Sequence, residues 1–148
     1  MEVQKDFKEF LALLNVHEVD FMIVGGYALA YHGAPRYTGD IDVFVKPDRK
    51  NAQRIIKVLE EFGFSSLELS IDDFQNEDNV VQLGLPPVRI DIITSISGVS
   101  WEQADIKKEP GLYGNVPVNY IGKKQFVANK KAIGRAKDIA DIEALGEE

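Results

Sequence analysis

The stretch that decides the fold is Gly25-Gly26-Tyr27-Ala28-Leu29-Ala30-Tyr31-His32-Gly33, followed after Ala34 and Pro35 by Arg36-Tyr37-Thr38-Gly39-Asp40-Ile41-Asp42-Val43-Phe44-Val45. Asp20 to Val24, just ahead of it, reads as a buried strand. Gly25 and Gly26 break that strand, Tyr27 to Tyr31 resumes as a helix, and Gly33, Ala34 and Pro35 end it. Thr38 to Val45 alternates as a strand does. Residues two apart in a strand share a face, so Asp40 and Asp42 project together with Thr38, while Ile41, Val43 and Val45 fill the core side. Two neighbouring carboxylates repel unless solvent, hydrogen bonds or a cation answers them. Magnesium favours one or two carboxylates plus substrate phosphates and water, which suits a nucleotide site. Taken alone, the Asp-x-Asp pair is a weak signal for a metal.

Working outward, Val3, Phe7, Phe10, Leu11 and Leu14 fall at helical spacing and predict an amphipathic first helix over residues 3 to 14. Pro47 and Asp48 start a helix that runs to about Phe62 and stops at Gly63. The acidic stretch Glu68 to Asn79 reads as a solvated strand end and loop. Val80 to Leu85 and Val88 to Thr94 form an antiparallel pair turned at Pro86-Pro87. Trp101 to Lys107 reads as a short helix with Trp101 as its anchor on the sheet. Val116 to Ile121 is a further strand, and Gly122 onward is helical with a break at Gly134. No internal repeat or low-complexity linker is present.

The second strand of that pair carries Asp91 inside Val88-Arg89-Ile90-Asp91-Ile92-Ile93, and a charge in the middle of an apolar strand needs a reason. Arg89 shares its face, so a structural Arg–Asp partnership stands beside a functional one. Gly25-Gly26, at a strand end that opens a helix, lets backbone N–H groups approach a phosphate, although it is neither a dinucleotide fingerprint nor a P-loop. Arg36 suits phosphate oxygens or a carboxylate partner. Lys123, Lys124, Lys130, Lys131, Arg135 and Lys137 make a basic run that is either a solvated helix face or a phosphate contact. Asp138 and Asp141 share a helix face with Lys137 nearby, where internal ion pairing is the plain reading. His32 reads as a helix C-terminal partner rather than a catalyst, and His17 has no stronger claim. Tyr27 and Tyr31, four apart, read as core, with Tyr27 close enough to the glycines to shape a pocket.

Composition narrows the classes. The chain has 148 residues, 45% hydrophobic and 28% charged, which fits one globular domain. It has no cysteine, which removes disulfides, thiolate catalysis and cysteine-based zinc sites. A formal charge of -7 argues against nonspecific coating of nucleic acid. Neither an apolar membrane span nor a signal-peptide pattern is visible, so the expected setting is cytoplasmic, with no membrane partner.

Taken together, the run Gly25 to Gly33, the segment Arg36-Tyr37-Thr38-Gly39-Asp40-Ile41-Asp42 and Asp91 resemble the signature of the DNA polymerase β-like nucleotidyltransferase superfamily. The resemblance is closest to its minimal bacterial members, including the nucleotidyltransferase toxins of abortive-infection systems. Their late Lys, Arg, Asp motif corresponds to Lys130, Arg135, Lys137, Asp138 and Asp141. This resemblance, over roughly residues 20 to 145, implies an α/β (α+β) nucleotidyltransferase fold, a mixed β-sheet flanked by helices, and the chain length sets the expected single domain at residues 1–148. It implies Mg²⁺ or Mn²⁺ on Asp40, Asp42 and Asp91, with the third carboxylate helping to deprotonate an acceptor hydroxyl. Gly25, Gly26, Tyr27, Arg36, Thr38, Lys130 and Arg135 become the candidate nucleotide contacts. One departure stands out: family members usually place Ser or Thr after the glycine pair, and this chain has Tyr27.

The expected activity is transfer of a nucleoside monophosphate from a nucleoside triphosphate to a hydroxyl, with pyrophosphate released. The acceptor is a transfer RNA, a protein or a small molecule, and a cognate antitoxin is an expected partner. The alternatives are a binding module that keeps the fold without turnover, and a toxin acting on transfer RNA or a partner protein.

Overall fold

The computed structural model describes residues 3–64, 67–85 and 88–147. In chain order the elements are α1 (Lys5–Val16), β1 (Phe21–Val24), α2 (Gly25–Tyr31), β2 (Asp40–Val45), α3 (Arg49–Phe62), α4 (Asp72–Gln75), β3 (Val80–Leu85), β4 (Val88–Ile93), α5 (Trp101–Lys107), β5 (Glu109–Tyr113), β6 (Val116–Tyr120), α6 (Lys123–Ile133) and α7 (Ala136–Ala144). The strands form one sheet in the order β3-β4-β2-β1-β6-β5. β2 runs parallel to β4 and β1 parallel to β6, while the other neighbours are antiparallel, so the sheet is mixed, as expected.

Apolar spacing places most of the elements. Phe7, Phe10, Leu11 and Leu14 of α1 are buried along one stripe, whereas Val3 lies ahead of the helix and is exposed. Ile41, Val43 and Val45 are buried on the core side of β2, where they join Ile90 and Ile92 of β4. Asp48 caps α3 by accepting from the Asn51 backbone N–H at 2.7 Å, and Gly63 ends it in the left-handed region, which glycine adopts without steric penalty. The buried Asn51 amide then donates to the Asp20 and Lys46 carbonyls and accepts from the Asp20 N–H, pinning α3 to the edge of the β1–β2 pair. Trp101 anchors α5 on the sheet by packing edge-on against Phe44, with ring centres 5.1 Å apart.

Three local expectations need correction, and one further strand is added. The acidic stretch between Glu68 and Asn79 is not a strand end and loop throughout, because Asp72–Gln75 turns as α4 around the fully buried Phe74. β5 is an added edge strand, held by pairing with β6. Tyr31 is not core: it is 40% exposed, stacks on Tyr120 of β6 at 4.1 Å and donates its hydroxyl to the Pro110 carbonyl of β5. Thr38 precedes β2 rather than continuing its face, and its hydroxyl donates to the Asp40 carbonyl at 3.1 Å. The turn read at Pro86-Pro87 lies outside the described residues. Among those residues no helix is long and apolar enough to cross a membrane.

Candidate active site

β1 ends at Val24 where α2 begins, and this junction lies beside the start of β2 and the middle of β4. Register sets two rows across the sheet: Gln82, Asp91, Asp42 and Val24 form one, and Gly84, Arg89 and Asp40 form the next. Because strand partners share a face, Asp40, Asp42 and Asp91 are brought together on one side. Each offers an oxygen, and these oxygens all lie within 4.8 Å of one another. Asp40 and Asp42 are half-buried and Asp91 is buried at 6% exposure.

The charges are unevenly answered. Arg89 donates from Nε to Asp91 Oδ1 at 2.8 Å and from Nη2 to Asp91 Oδ2 at 3.0 Å, and the same Nη2 stands 2.8 Å from Asp40 Oδ2. The partnership expected for Asp91 is therefore present and extends to Asp40. Asp42 has no ion-pair partner among the described residues. Burial, then the neighbouring Asp91 and Asp40, push its carboxyl up to about 6. Three carboxylates and one guanidinium leave a surplus of negative charge around Asp42, which is what a divalent cation would neutralise. Oxygen donors of this kind suit Mg²⁺ or Mn²⁺, so the residues fit such an ion.

The glycine pair is shaped by the same residues. Gly25 has φ +68° and packs so closely that a Cβ there would lie 2.1 Å from Asp42 Oδ2, while a Cβ on Gly26 would meet the Thr38 side chain at about 3.0 Å. Tyr27 follows them, but its ring is buried and packs edge-on against Phe7 and Tyr113 at 5.9 and 5.6 Å. Of the pair, the Gly25 backbone packs against Asp42 and Gly26 against Thr38.

The C-terminal basic residues form a second cluster. Lys130 is buried and its Nζ lies 3.3 Å from Asp138 Oδ1 and 3.5 Å from Asp141 Oδ2. Arg135 donates from Nε to Asp138 Oδ2 at 2.7 Å, and Arg36 grips Asp141 through Nε and Nη2 at 3.1 and 3.2 Å. The Arg135 hydrogen bond, ahead of the Lys130 contact, holds the Asp138 carboxyl down at about 2. Asp138 and Asp141 are thus ion-paired as expected, but with Lys130, Arg135 and Arg36, and not with Lys137. Lys130 also exerts a favourable charge effect on Asp42, which links the two clusters. His32 sits at the end of α2, with Nε2 2.7 Å from the Ile121 carbonyl, as a structural partner. A cleft of about 380 Å³ lined by Phe44, Thr94, Ser95 and Trp101 opens at the other ends of β2 and β4, away from the carboxylates.

Sequence reasoning assigned Arg89 only to Asp91; its reach to Asp40 depends on the parallel β2–β4 register. Gln82, opposite Asp91, carries no sequence signal of its own.

A family model described as "Nucleotidyl transferase AbiEii toxin, Type IV TA system" matches residues 10–109. The chain belongs to the AbiEii nucleotidyltransferase toxin family. For this AbiEii-family nucleotidyltransferase, the matched span takes in Gly25, Gly26, Asp40, Asp42 and Asp91. Solved structures agree with the fold. A Thermotoga maritima protein assigned as a nucleotidyltransferase superimposes with a TM-score of 0.62 at 14% identity, covering 93% of this chain and 88% of that one. The antibiotic-resistance factor ANT(2'')-Ia gives a TM-score of 0.62 at 13% identity, over 95% of this chain and 80% of its own. The lincosamide antibiotic adenylyltransferase LnuA, solved with lincomycin bound, gives 0.58 at 15% identity, over 99% of this chain and 98% of its own. At such identities these likenesses establish the nucleotidyltransferase fold. Comparison with curated protein sequences finds no match.

Proposed function

We propose that this AbiEii-family chain, acting as one domain over residues 1–148, transfers a nucleoside monophosphate from a nucleoside triphosphate to a hydroxyl acceptor and releases pyrophosphate. One observation carries the reading: three carboxylates from β2 and β4 converge, Asp42 against the Gly25 backbone, and Asp42 has no ion-pair partner among the described residues. Asp40, Asp42 and Asp91 are the residues that would hold Mg²⁺ or Mn²⁺, which when bound supplies charge neutralisation to the triphosphate and the leaving group. Asp91 takes the acceptor proton as the acceptor oxygen bonds to the α-phosphorus. The bond from that phosphorus to the bridging oxygen breaks, and pyrophosphate leaves with the electron pair.

Gly25 and Gly26 offer backbone N–H groups to the phosphates. Thr38 supports the Gly26 turn, and Tyr27 shapes the pocket wall without lending its hydroxyl. Arg36, Lys130 and Arg135 serve the nucleotide from the adjoining cluster, with Lys130 nearest in electrostatic effect to Asp42. The family makes a cognate antitoxin a natural partner, and transfer RNA, a protein or a small molecule the acceptor. Nucleoside triphosphates are cytoplasmic reagents, so the cytoplasm is the compartment this reading requires.

Tyr27 in place of Ser or Thr favours a second reading, a binding module without turnover. The two separate in an assay of α-labelled triphosphates with Mg²⁺ and candidate acceptors. The enzyme reading expects labelled product with pyrophosphate, lost in Asp91→Asn although triphosphate still binds, and growth arrest on expression that Asp42→Ala relieves. Triphosphate binding with no transfer to any acceptor class would leave the binding-module reading.

A further inference from the structure

Among the described residues Arg89 is the one positive charge in direct contact with the carboxylate triad, and it holds its two partners unequally. Asp91, 8% exposed in its side chain, receives two roughly parallel bonds from the guanidinium, the fork arrangement that gives the firmest Arg–carboxylate contact. Asp40, 35% exposed, receives a single bond, from an Nη2 already engaged with Asp91. The Asp40 contact is therefore the easier to break. Room to move is present as well. Arg89 is itself 25% exposed, and its cross-strand partner on β3 is Gly84, which presents no side chain beside it.

We propose that Arg89 is a displaceable stand-in for a metal ion: in the metal-free protein it neutralises Asp40 together with Asp91, and a divalent ion entering at Asp40 and Asp42 takes Asp40 from it. Arg89 is thus a positioning residue that sets how readily the site loads. This rests on the metal-site reading above. With Arg89 the triad and its partner carry a net charge of -2, from three carboxylates and one guanidinium. Without it the same oxygens carry one more uncompensated charge and have one competitor fewer, so a divalent ion is held more tightly. A residue that only braced the strand would act in the opposite sense, since removing it would loosen the ligands.

The experiment is titration of the full chain with Mn²⁺ alone, following free Mn²⁺ by electron paramagnetic resonance, for the parent, Arg89→Gln and Arg89→Lys. Arg89→Gln is expected to bind Mn²⁺ about tenfold more tightly than the parent. Arg89→Lys keeps the charge but cannot fork across two carboxylates, so it binds more tightly by a smaller factor. In melting scans, Arg89→Gln without metal melts below the parent, and Mn²⁺ raises its midpoint by more than it raises the parent's. Affinity equal to or weaker than the parent's in both variants overturns the proposal. Should Arg89→Gln not fold, Arg89→Lys decides by the same criterion. Absence of Mn²⁺ binding from the parent and from both variants would overturn the underlying metal site.

Discussion

Gly25 and Asp42 are in such close contact that a single methyl group on Gly25 would lie 2.1 Å from Asp42 Oδ2. The glycine also holds φ +68°, which an L side chain adopts at a cost of about 1–2 kcal/mol. Gly25→Ala is therefore expected to destabilise the protein by at least that amount and to displace the Asp42 carboxylate. Urea unfolding would read the first effect. Mn²⁺ titration would read the second, as a loss of affinity larger than the stability change explains.

Asp42 gives a pH dependence of definite sign. Its folded pKa is raised to about 6, so ionising it opposes folding. In the metal-free protein this share of stability is fully present below about pH 4 and is lost as the pH rises through about 6. Asp42→Asn removes the loss, so parent and variant should melt together near pH 4, with the variant equal or higher at pH 7. Metal needs the ionised carboxylate, and Mn²⁺ affinity of the parent should climb through the same range. Unfolding of metal-free Asp42→Asn by several kcal/mol would make Asp42 an architectural residue.

Lys130 is expected to matter twice. Its Nζ serves two buried carboxylates, Asp138 and Asp141, so Lys130→Ala should destabilise the fold by about 3 kcal/mol, the lower part of the range for breaking a buried pair, because Arg135 and Arg36 remain. The urea midpoint should fall with little change in slope. Arg135→Ala, removing a largely exposed side chain, should lower it by less. Nucleotide affinity measured on still-folded Lys130→Ala is expected to drop about tenfold. An unchanged affinity would confine Lys130 to architecture.

Much of this was legible in the chain because it depends on local rules. The spacing of Phe7, Phe10, Leu11 and Leu14, the alternation of Ile41, Val43 and Val45, and the Asp48 and Gly63 signals are all readable without a partner. What was not legible depends on distant contacts. β5 packs Pro110 and Gly111 into five residues, a composition that reads as turn, and exists as a strand through its pairing with β6. Arg36 meets Asp141 across 105 positions, and Arg89 reaches Asp40 across 49, pairings that only the folded sheet and helices decide. The three carboxylates were readable as candidates because two share a strand face and the third interrupts an apolar strand. Their convergence required the parallel β2–β4 register.

The central claim is that Asp40, Asp42 and Asp91 hold a divalent ion against a triphosphate. Crystals grown with Mn²⁺ and a nonhydrolysable nucleoside triphosphate test it most directly, through anomalous scattering at the manganese edge. The account predicts anomalous density within the Asp40, Asp42 and Asp91 cluster, bonded first to Asp40 and Asp42, triphosphate density beside Gly25 and Gly26, and Arg89 withdrawn from Asp40. Triphosphate bound elsewhere, with no peak at the carboxylates and the Arg89–Asp40 contact intact, would contradict it.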